Sequence, residues 1–292
     1  MSSSLPARHL YRVPLSSPGQ FLELGRRCLV MAILNVTPDS FAERGPRGAV
    51  ADAVDAALQF ERDGADVIDI GGESTRPGAE PVSADVELAR VLPVIEALAG
   101  RLRIPVSIDT YKADVAASAL AAGAGLVNDI SGLRFDPGLG AVVAAAGAPV
   151  VLMHTRGSPR TMHDRASFTN VIGEVIRELA DSIGAATAAG IQRDRIIIDP
   201  GIGFAKRSQH SYGVLAHLTE IAGVLDRPLL VGPSRKSFMR EAVGDRPAAE
   251  RDWGTAAAVS AAVLAGAHIV RVHAVAEMAQ VVRVAEEIRR HG

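Results

Sequence analysis

Eight short apolar runs separated by Ala-rich stretches constrain this chain more than any other feature. They fall at 29–34, 66–70, 104–108, 125–130, 149–153, 195–198, 228–232 and 268–272, and each is long enough for one strand buried on both faces. The intervening stretches have helical spacing, and several close on a glycine just before the next run: Gly64, Gly123, Gly147, Gly190 and Gly266. A glycine there reads as the residue after a helix, where the backbone turns left-handed and a Cβ would be penalised. Eight strand–helix units predict an α/β chain folded as a (β/α)8 (TIM) barrel; an open doubly wound sheet shares the periodicity and stays open as an alternative. Aromatics make up only 4%, which suits small-faced helices on parallel strands better than an antiparallel sandwich. A barrel of 292 residues forms one domain. The region before Leu29 lacks the pattern, so the expected division is an N-terminal arm or hairpin over 1–28, lying across the bottom of a barrel over 29–292.

Several function classes fall away on composition. With 31 basic and 33 acidic residues the net charge is −2, and no global field draws nucleic acid or an anionic membrane. The single cysteine, Cys28, excludes an intramolecular disulfide and a cysteine-cluster metal site, and reads as a small buried hydrophobe. The N-terminal stretch lacks the apolar segment of a signal peptide, and no uninterrupted apolar run is long enough for a membrane span. A cytoplasmic protein is the expectation.

In such barrels the active face is formed by the C-terminal ends of the strands, and here those ends are polar. The runs end at or lead into Asn35, Glu73, Asp109, Asn128 with Asp129, His154, Asp199, Ser234 with Arg235 and Lys236, and Arg271 with His273. One Asp or Asn after a strand is more often a helix cap than a catalyst; eight polar ends on one rim are harder to dismiss. Asp109, Asn128 and Asp199 offer acceptors and an amide that suit a flat heterocycle rich in N–H donors, such as a 2-amino-4-oxopterin. Asn35, Arg271 and His273 lie on adjacent strands, and Arg with a protonated His would clamp a phosphate or pyrophosphate. The alternative for Arg271 and His273 is a structural pairing with a neighbouring carboxylate.

From about Val30 to Met278 the chain resembles the dihydropteroate synthase family of pterin-binding barrels. The resemblance rests on MAILNVTPDSF (31–41), IDIGGESTRPG (68–78), VSIDT (106–110), VNDISG (127–132), DPGIGFAK (199–206), VGPSRKSF (231–238), GTAAA (254–258) and GAHIVRVH (266–273). It implies condensation of 6-hydroxymethyl-7,8-dihydropterin pyrophosphate with 4-aminobenzoate, with catalytic roles for Asp109, Asp199, Lys236, Arg271 and His273. Asp109, Asn128, Asp199 and Lys236 would bind the pterin. Asn35, Arg271 and His273 would hold the pyrophosphate with Mg2+, for which Asn35 would be the one direct protein ligand. The implied aminobenzoate and lid residues are Thr37, Asp39, Ser40, Phe41, Thr75, Arg76, Pro77, Phe204 and Ser237, and a homodimer through the side of the last Ala-rich helix is implied as well. A pterin-dependent methyltransferase barrel would share Asp109, Asn128 and Asp199 without a pyrophosphate clamp; a paralogue that binds pterin without catalysis is a further reading.

Two departures stand out. Ala274 follows His273 where the family usually has an acidic residue, and the first lid continues as AERGPRG instead of a Ser-Asp-Gly-Gly type. Trp253, the only tryptophan, is expected to serve packing.

Overall fold

The computed structural model describes residues 5–37, 45–76 and 78–292. The chain opens with an antiparallel pair, β1 (Tyr11–Pro14) and β2 (Phe21–Leu24). Eight parallel strands follow: β3 (Leu29–Asn35), β4 (Val67–Gly71), β5 (Val106–Asp109), β6 (Leu126–Asp129), β7 (Val150–Met153), β8 (Ile196–Asp199), β9 (Leu230–Val231) and β10 (Ile269–Val272). They hydrogen-bond in the order β8-β7-β6-β5-β4-β3-β10-β9. Ile198 pairs with Leu229 between the two ends of that list, and its N–H donates to the Pro228 carbonyl at 2.9 Å. The ring is thereby closed, which decides for the barrel over the open sheet.

Between and after the strands run α1 (Gly45–Asp63), α2 (Ala84–Leu98), α3 (Ala113–Ala121), α4 (Leu139–Ala145), α5 (Val171–Ala188), α6 (Ser208–Ala216), α7 (Leu218–Leu225), α8 (Arg240–Val243), α9 (Asp252–Leu264) and α10 (Val275–His291). Their ends follow local chemistry. The Ser83 hydroxyl accepts from the Val86 N–H at the start of α2, and Asn170 Oδ1 accepts from Gly173 at the start of α5, each satisfying a donor the helix leaves free. The five glycines expected at helix ends all have positive φ, between 57° and 111°.

Strand alternation sorts the core into two bodies. Val30, Ala32, Leu34, Ile68, Ile70, Val127, Leu152 and Ile198 face the helices in the larger cluster. Leu29, Met31, Val67, Leu126, Val151, Ile197, Leu230 and Ile269 face inward at the lower end, where they meet Val13, Leu15, Leu22 and Leu24 of the hairpin region. That segment plugs the base and is tied to it: Ser16 donates from N to the Gly125 carbonyl (3.0 Å) and from Oγ to the Ala124 carbonyl (2.8 Å). Arg8 also pairs with Glu286 at 2.8 Å, and the same carboxylate accepts from the Cys28 N–H at 2.7 Å. Burial pushes the Cys28 thiol up to about 12, so it packs as a hydrophobe and is not a nucleophile.

One packing expectation fails. Trp253 is 90% exposed, because α9 buries Thr255, Ala258, Val259, Ala262 and Val263, a helical stripe that position 253 does not share. Among the described residues, no helix is long and apolar enough to cross a membrane.

Leu24, wholly buried in the plug, supplies the first test. Leu24→Ala is expected to cost about 2–5 kcal/mol in urea unfolding, and a loss well under 1 kcal/mol would mean that the plug adds nothing to the core.

Candidate active site

The inward positions that are apolar at the base become polar toward the C-terminal ends of the strands. Counting by twos from Met31, Val67, Leu126, Ile197 and Ile269 reaches Asn35, Asp69 with Gly71, Asn128, Asp199 and Arg271. The register sets Ile33 beside Asp69, Asn35 beside Gly71, Gly71 beside Asp109, and Asp109 beside Asn128. Gly232, just after β9, faces Arg271 and Asp199: a Cβ there would lie 3.7 Å from Arg271 Cβ and 3.9 Å from Asp199 Oδ2.

Arg271 is the hub. Its Nε donates to Asp69 Oδ2 at 2.6 Å and its Nη2 to Asp109 Oδ2 at 2.6 Å, while Asn128 Nδ2 also donates to Asp69 Oδ2, at 2.8 Å. Burial pushes the Asp109 carboxyl up, the Arg271 charge opposes it, and Asp69 adds to the rise. Burial likewise raises Asp199, against Lys236 and the Gly201 N–H that its Oδ1 accepts at 2.7 Å. Lys236 reaches across from the loop after β9 to the Ile202 carbonyl at 2.5 Å, with its ammonium 4.1 Å from the centre of the Phe204 ring. Desolvation lowers the Lys236 amine to about 7, with Asp199 pulling the other way. The expected pairing of Arg271 with carboxylates is therefore present, and it leaves Arg271 facing inward among Asp109, Asn128 and Asp199.

His273 is held differently. Ser234 Oγ accepts from the His273 backbone N–H at 3.2 Å and lies 2.9 Å from His273 Nδ1, so the hydroxyl proton is free to point at Nδ1 and leave Nε2 as the N–H. The Ser234 hydroxyl thus orients the ring in a chain that has Ala274 where an acid was expected. Desolvation lowers His273 to about 3, helped by Arg271, Arg235 and Arg76. These surroundings favour the neutral imidazole over the cation that an anion clamp invites.

The remaining positions divide. Thr37, Thr75 and Arg76 lie in the connections after β3 and β4, Arg76 near enough to act on His273, and Ser237 starts a short 3-10 turn beyond Lys236. The second connection is tied to the β7 loop by Gly78 N–H to the Pro159 carbonyl at 3.1 Å and by Arg160 to Glu80 at 3.1 Å. Asp39, Ser40, Phe41 and Pro77 lie outside the described residues. Three rim residues serve structure instead. Asp129 accepts from the N–H groups of Ser131 and Leu133, Glu73 holds Tyr111 and Lys112, and Arg235 is paired with Asp252 at 2.7 Å. Among the described residues no three His, Cys, Asp or Glu side chains converge as a metal site.

Two residues escaped sequence reasoning. Asp69 was hidden because β4 was read only at its end; its signal is a carboxylate inside an apolar run, in step with Val67 and Gly71. Its Oδ1, with Ser107 Oγ on the neighbouring strand, has no hydrogen-bond partner among the described residues, and a buried acceptor so left costs about 1–3 kcal/mol unless something else satisfies it. Lys206 sits inside the DPGIGFAK segment and is buried with its amine against His154. No local pattern marks it, since a lysine after a turn is usually solvated.

Comparison with known proteins adds a family to this geometry. The sequence pattern of the pterin binding enzymes matches residues 31–273. The chain is 46% identical over 277 residues to a dihydropteroate synthase of Synechocystis, covering 95% of this chain and 96% of that one. Its fold is similar to that of Xanthomonas albilineans dihydropteroate synthase solved with 4-aminobenzoic acid, with a TM-score of 0.88, 42% identity and coverage of 96% and 99%. The same enzyme in complex with 7,8-dihydropteroate gives a TM-score of 0.84 at 39% identity, covering 94% and 98%.

The chain has only three lysines, Lys112, Lys206 and Lys236, which makes the titration of Lys236 directly observable. In protein labelled with lysine carrying nitrogen-15 in the side chain, the resonance that vanishes in Lys236→Met should titrate near pH 7, charged below and neutral above. A midpoint above pH 10 for that resonance contradicts the desolvated setting described for this amine.

Proposed function

The chain belongs to the pterin binding enzyme family, and from that premise we propose that it is a transferase acting as a dihydropteroate synthase. It joins 6-hydroxymethyl-7,8-dihydropterin pyrophosphate to 4-aminobenzoate, giving 7,8-dihydropteroate and pyrophosphate. The observation that carries this reading is the inward-facing set of Asp69, Asp109, Asn128, Asp199 and Arg271, with Lys236 reaching in from the loop after β9. Segment 1–28 serves as the plug, and 29–292 as the catalytic barrel.

A pterin presents ring N–H and amino donors on one edge. Asp109, Asn128 and Asp199 supply acceptors there, and Asp69 Oδ1 is a further buried acceptor on the same wall. Lys236 closes the face beside Phe204, and Phe204 with Ser237, Thr37, Thr75 and Arg76 frames the aminobenzoate side. In the reaction the methylene C–O bond breaks, the electron pair leaves with pyrophosphate, and the aromatic amine forms the new C–N bond as its proton is released. No enzyme nucleophile is needed. The cation that develops on the pterin methylene faces the carboxylates of Asp109 and Asp199, while Arg271 and His273 face the departing charge. The surroundings of His273 disfavour its charged form, and a pyrophosphate beside it would favour that form.

Asn35 offers one carboxamide oxygen at the end of β3, beside Gly71 and next to the strand that carries Arg271. That donor fits Mg2+ brought in with the pyrophosphate, since this ion takes most of its oxygens from phosphates and water. When bound it would neutralise charge on the leaving group. A homodimer across the α9 side would cover the exposed Trp253 at the start of α9 and, at the other end of that helix, the exposed Val284 and Ile288 of the adjoining α10. A cytoplasmic location fits substrates of this kind.

Three measurements test the reading. Purified protein with Mg2+ and both substrates should release pyrophosphate together with dihydropteroate identified by mass; pterin binding without either product would point to a non-catalytic barrel. Arg271→Lys keeps a charge between Asp69 and Asp109 but gives up the planar fork, and kcat/KM should fall by at least about 10²-fold with the urea midpoint little changed. Parallel losses of activity and stability would make Arg271 a structural residue only. Sedimentation should show a dimer that Trp253→Glu weakens, and an unchanged dimer would move the interface elsewhere.

A further inference from the structure

The turn from Asp199 to Lys206 carries Asp199 and Phe204 and receives Lys236 at the Ile202 carbonyl, and its backbone is strained. Gly201, Gly203 and Ala205 all have positive φ, 68°, 76° and 47°, and Ala205 adopts that conformation with a Cβ. The turn also presses on its neighbours: a Cβ at Gly201 would lie 1.9 Å from the His154 carbonyl oxygen, and one at Gly203 would lie 2.9 Å from Lys236 Cδ. Such a backbone persists only when its surroundings hold it.

The holding group is the Lys206 amine. Nζ lies 3.0 Å from the Gly201 carbonyl oxygen, 3.2 Å from the Phe204 carbonyl oxygen and 2.7 Å from His154 Nδ1. The polarity of the third contact is set from outside. Burial works against a charge on Glu178, but hydrogen bonds from His154 and Arg156 hold its carboxyl well below the usual range. An ionised Glu178 3.1 Å from His154 Nε2 requires the proton on that nitrogen, so Nδ1 is left as an acceptor. All three neighbours of Nζ are then acceptors. Burial pushes the Lys206 amine well below its usual value, with the Asp199 charge opposing; the three acceptors at hydrogen-bond distance favour the ammonium, whose three donors on a compact head satisfy them together. Arginine's planar fork does not fit a tripod, which gives a reason for lysine here in a chain whose other cations are almost all arginine.

We propose that Lys206 is a positioning residue: through its bonds to Gly201, Phe204 and the His154–Glu178 pair it fixes the turn that aims Asp199 and Phe204 and supplies the Ile202 carbonyl that anchors Lys236. It touches neither reacting group and acts through those that do. The proposal deepens the reading of the site given above and rests on it for which substrates respond.

Lys206→Met keeps the length and apolar stem of the side chain and removes the donors. The folded variant should bind pteroic acid at least about tenfold more weakly by calorimetry, and its KM for 4-aminobenzoate should rise more than kcat falls, because Phe204 loses its support before the reacting centre does. A folded Lys206→Met with wild-type affinity and KM overturns the proposal, as does a loss that merely tracks the folded fraction. Should that variant not fold, Glu178→Gln leaves Nζ in place and removes the charge that sets the histidine; the same pattern, smaller, is expected, and unchanged KM values overturn the proposal. Nitrogen-15 spectra of the histidines give a readout that does not depend on activity. His154, assigned by loss of its signals in His154→Gln, should carry its proton on Nε2 in the wild type, and an Nδ1–H form contradicts the tripod. If the wild-type protein neither turns over nor binds pteroic acid, the synthase reading fails while the tautomer of His154 still judges the role of Lys206.

Discussion

A parallel barrel can hold charge in its interior only where that charge is matched, and in this protein Arg271 does the matching. One guanidinium spans Asp69 on β4 and Asp109 on β5 from its own place on β10, so three strands share a single electrostatic bond across the upper cavity. Removing one partner of such a buried set typically costs about 3–5 kcal/mol, because the others keep their desolvation without their attraction. The same bond orders the site. Asn128 is oriented by Asp69, and Gly232 faces both Arg271 and Asp199.

The two ends of the barrel divide the labour. At the base, inward side chains are aliphatic and the hairpin segment covers them, so the lower half supplies hydrophobic stability without polar cost. Relieved of that task, the upper half can carry unmatched acceptors, depressed amines and strained turns, features that a core would not tolerate but a binding site uses. The use of lysine follows the same division. Lys112, Lys206 and Lys236 all hold carboxylates, carbonyls or rings near the C-terminal ends of the strands.

Much of this was legible in the residues. The eight apolar runs marked the eight barrel strands, the five glycines marked helix ends, and the polar residues terminating the runs included Asp109, Asn128, Asp199 and Arg271, which the fold turns inward. Reading only the last residue of each run had two consequences. It missed Asp69, two residues before the end of β4, and it took in Asp129, which parity turns away from the cavity and into a turn. Trp253 went wrong for a related reason: apolar character was read without the face of α9 on which it lies.

The sequence by itself determined the strand–helix alternation, the polar rim and the family, because period, helix-end chemistry and motif order are local properties of a chain. It could not determine that Arg271 would meet Asp69, 202 residues away, that Lys206 would find His154, or that the sheet would close between Ile198 and Leu229. Those contacts depend on register and closure, and these are settled only when all eight strands pack at once. Burial then decides which carboxylates, amines and imidazoles shift, since desolvation is a property of the folded surroundings and not of the residue.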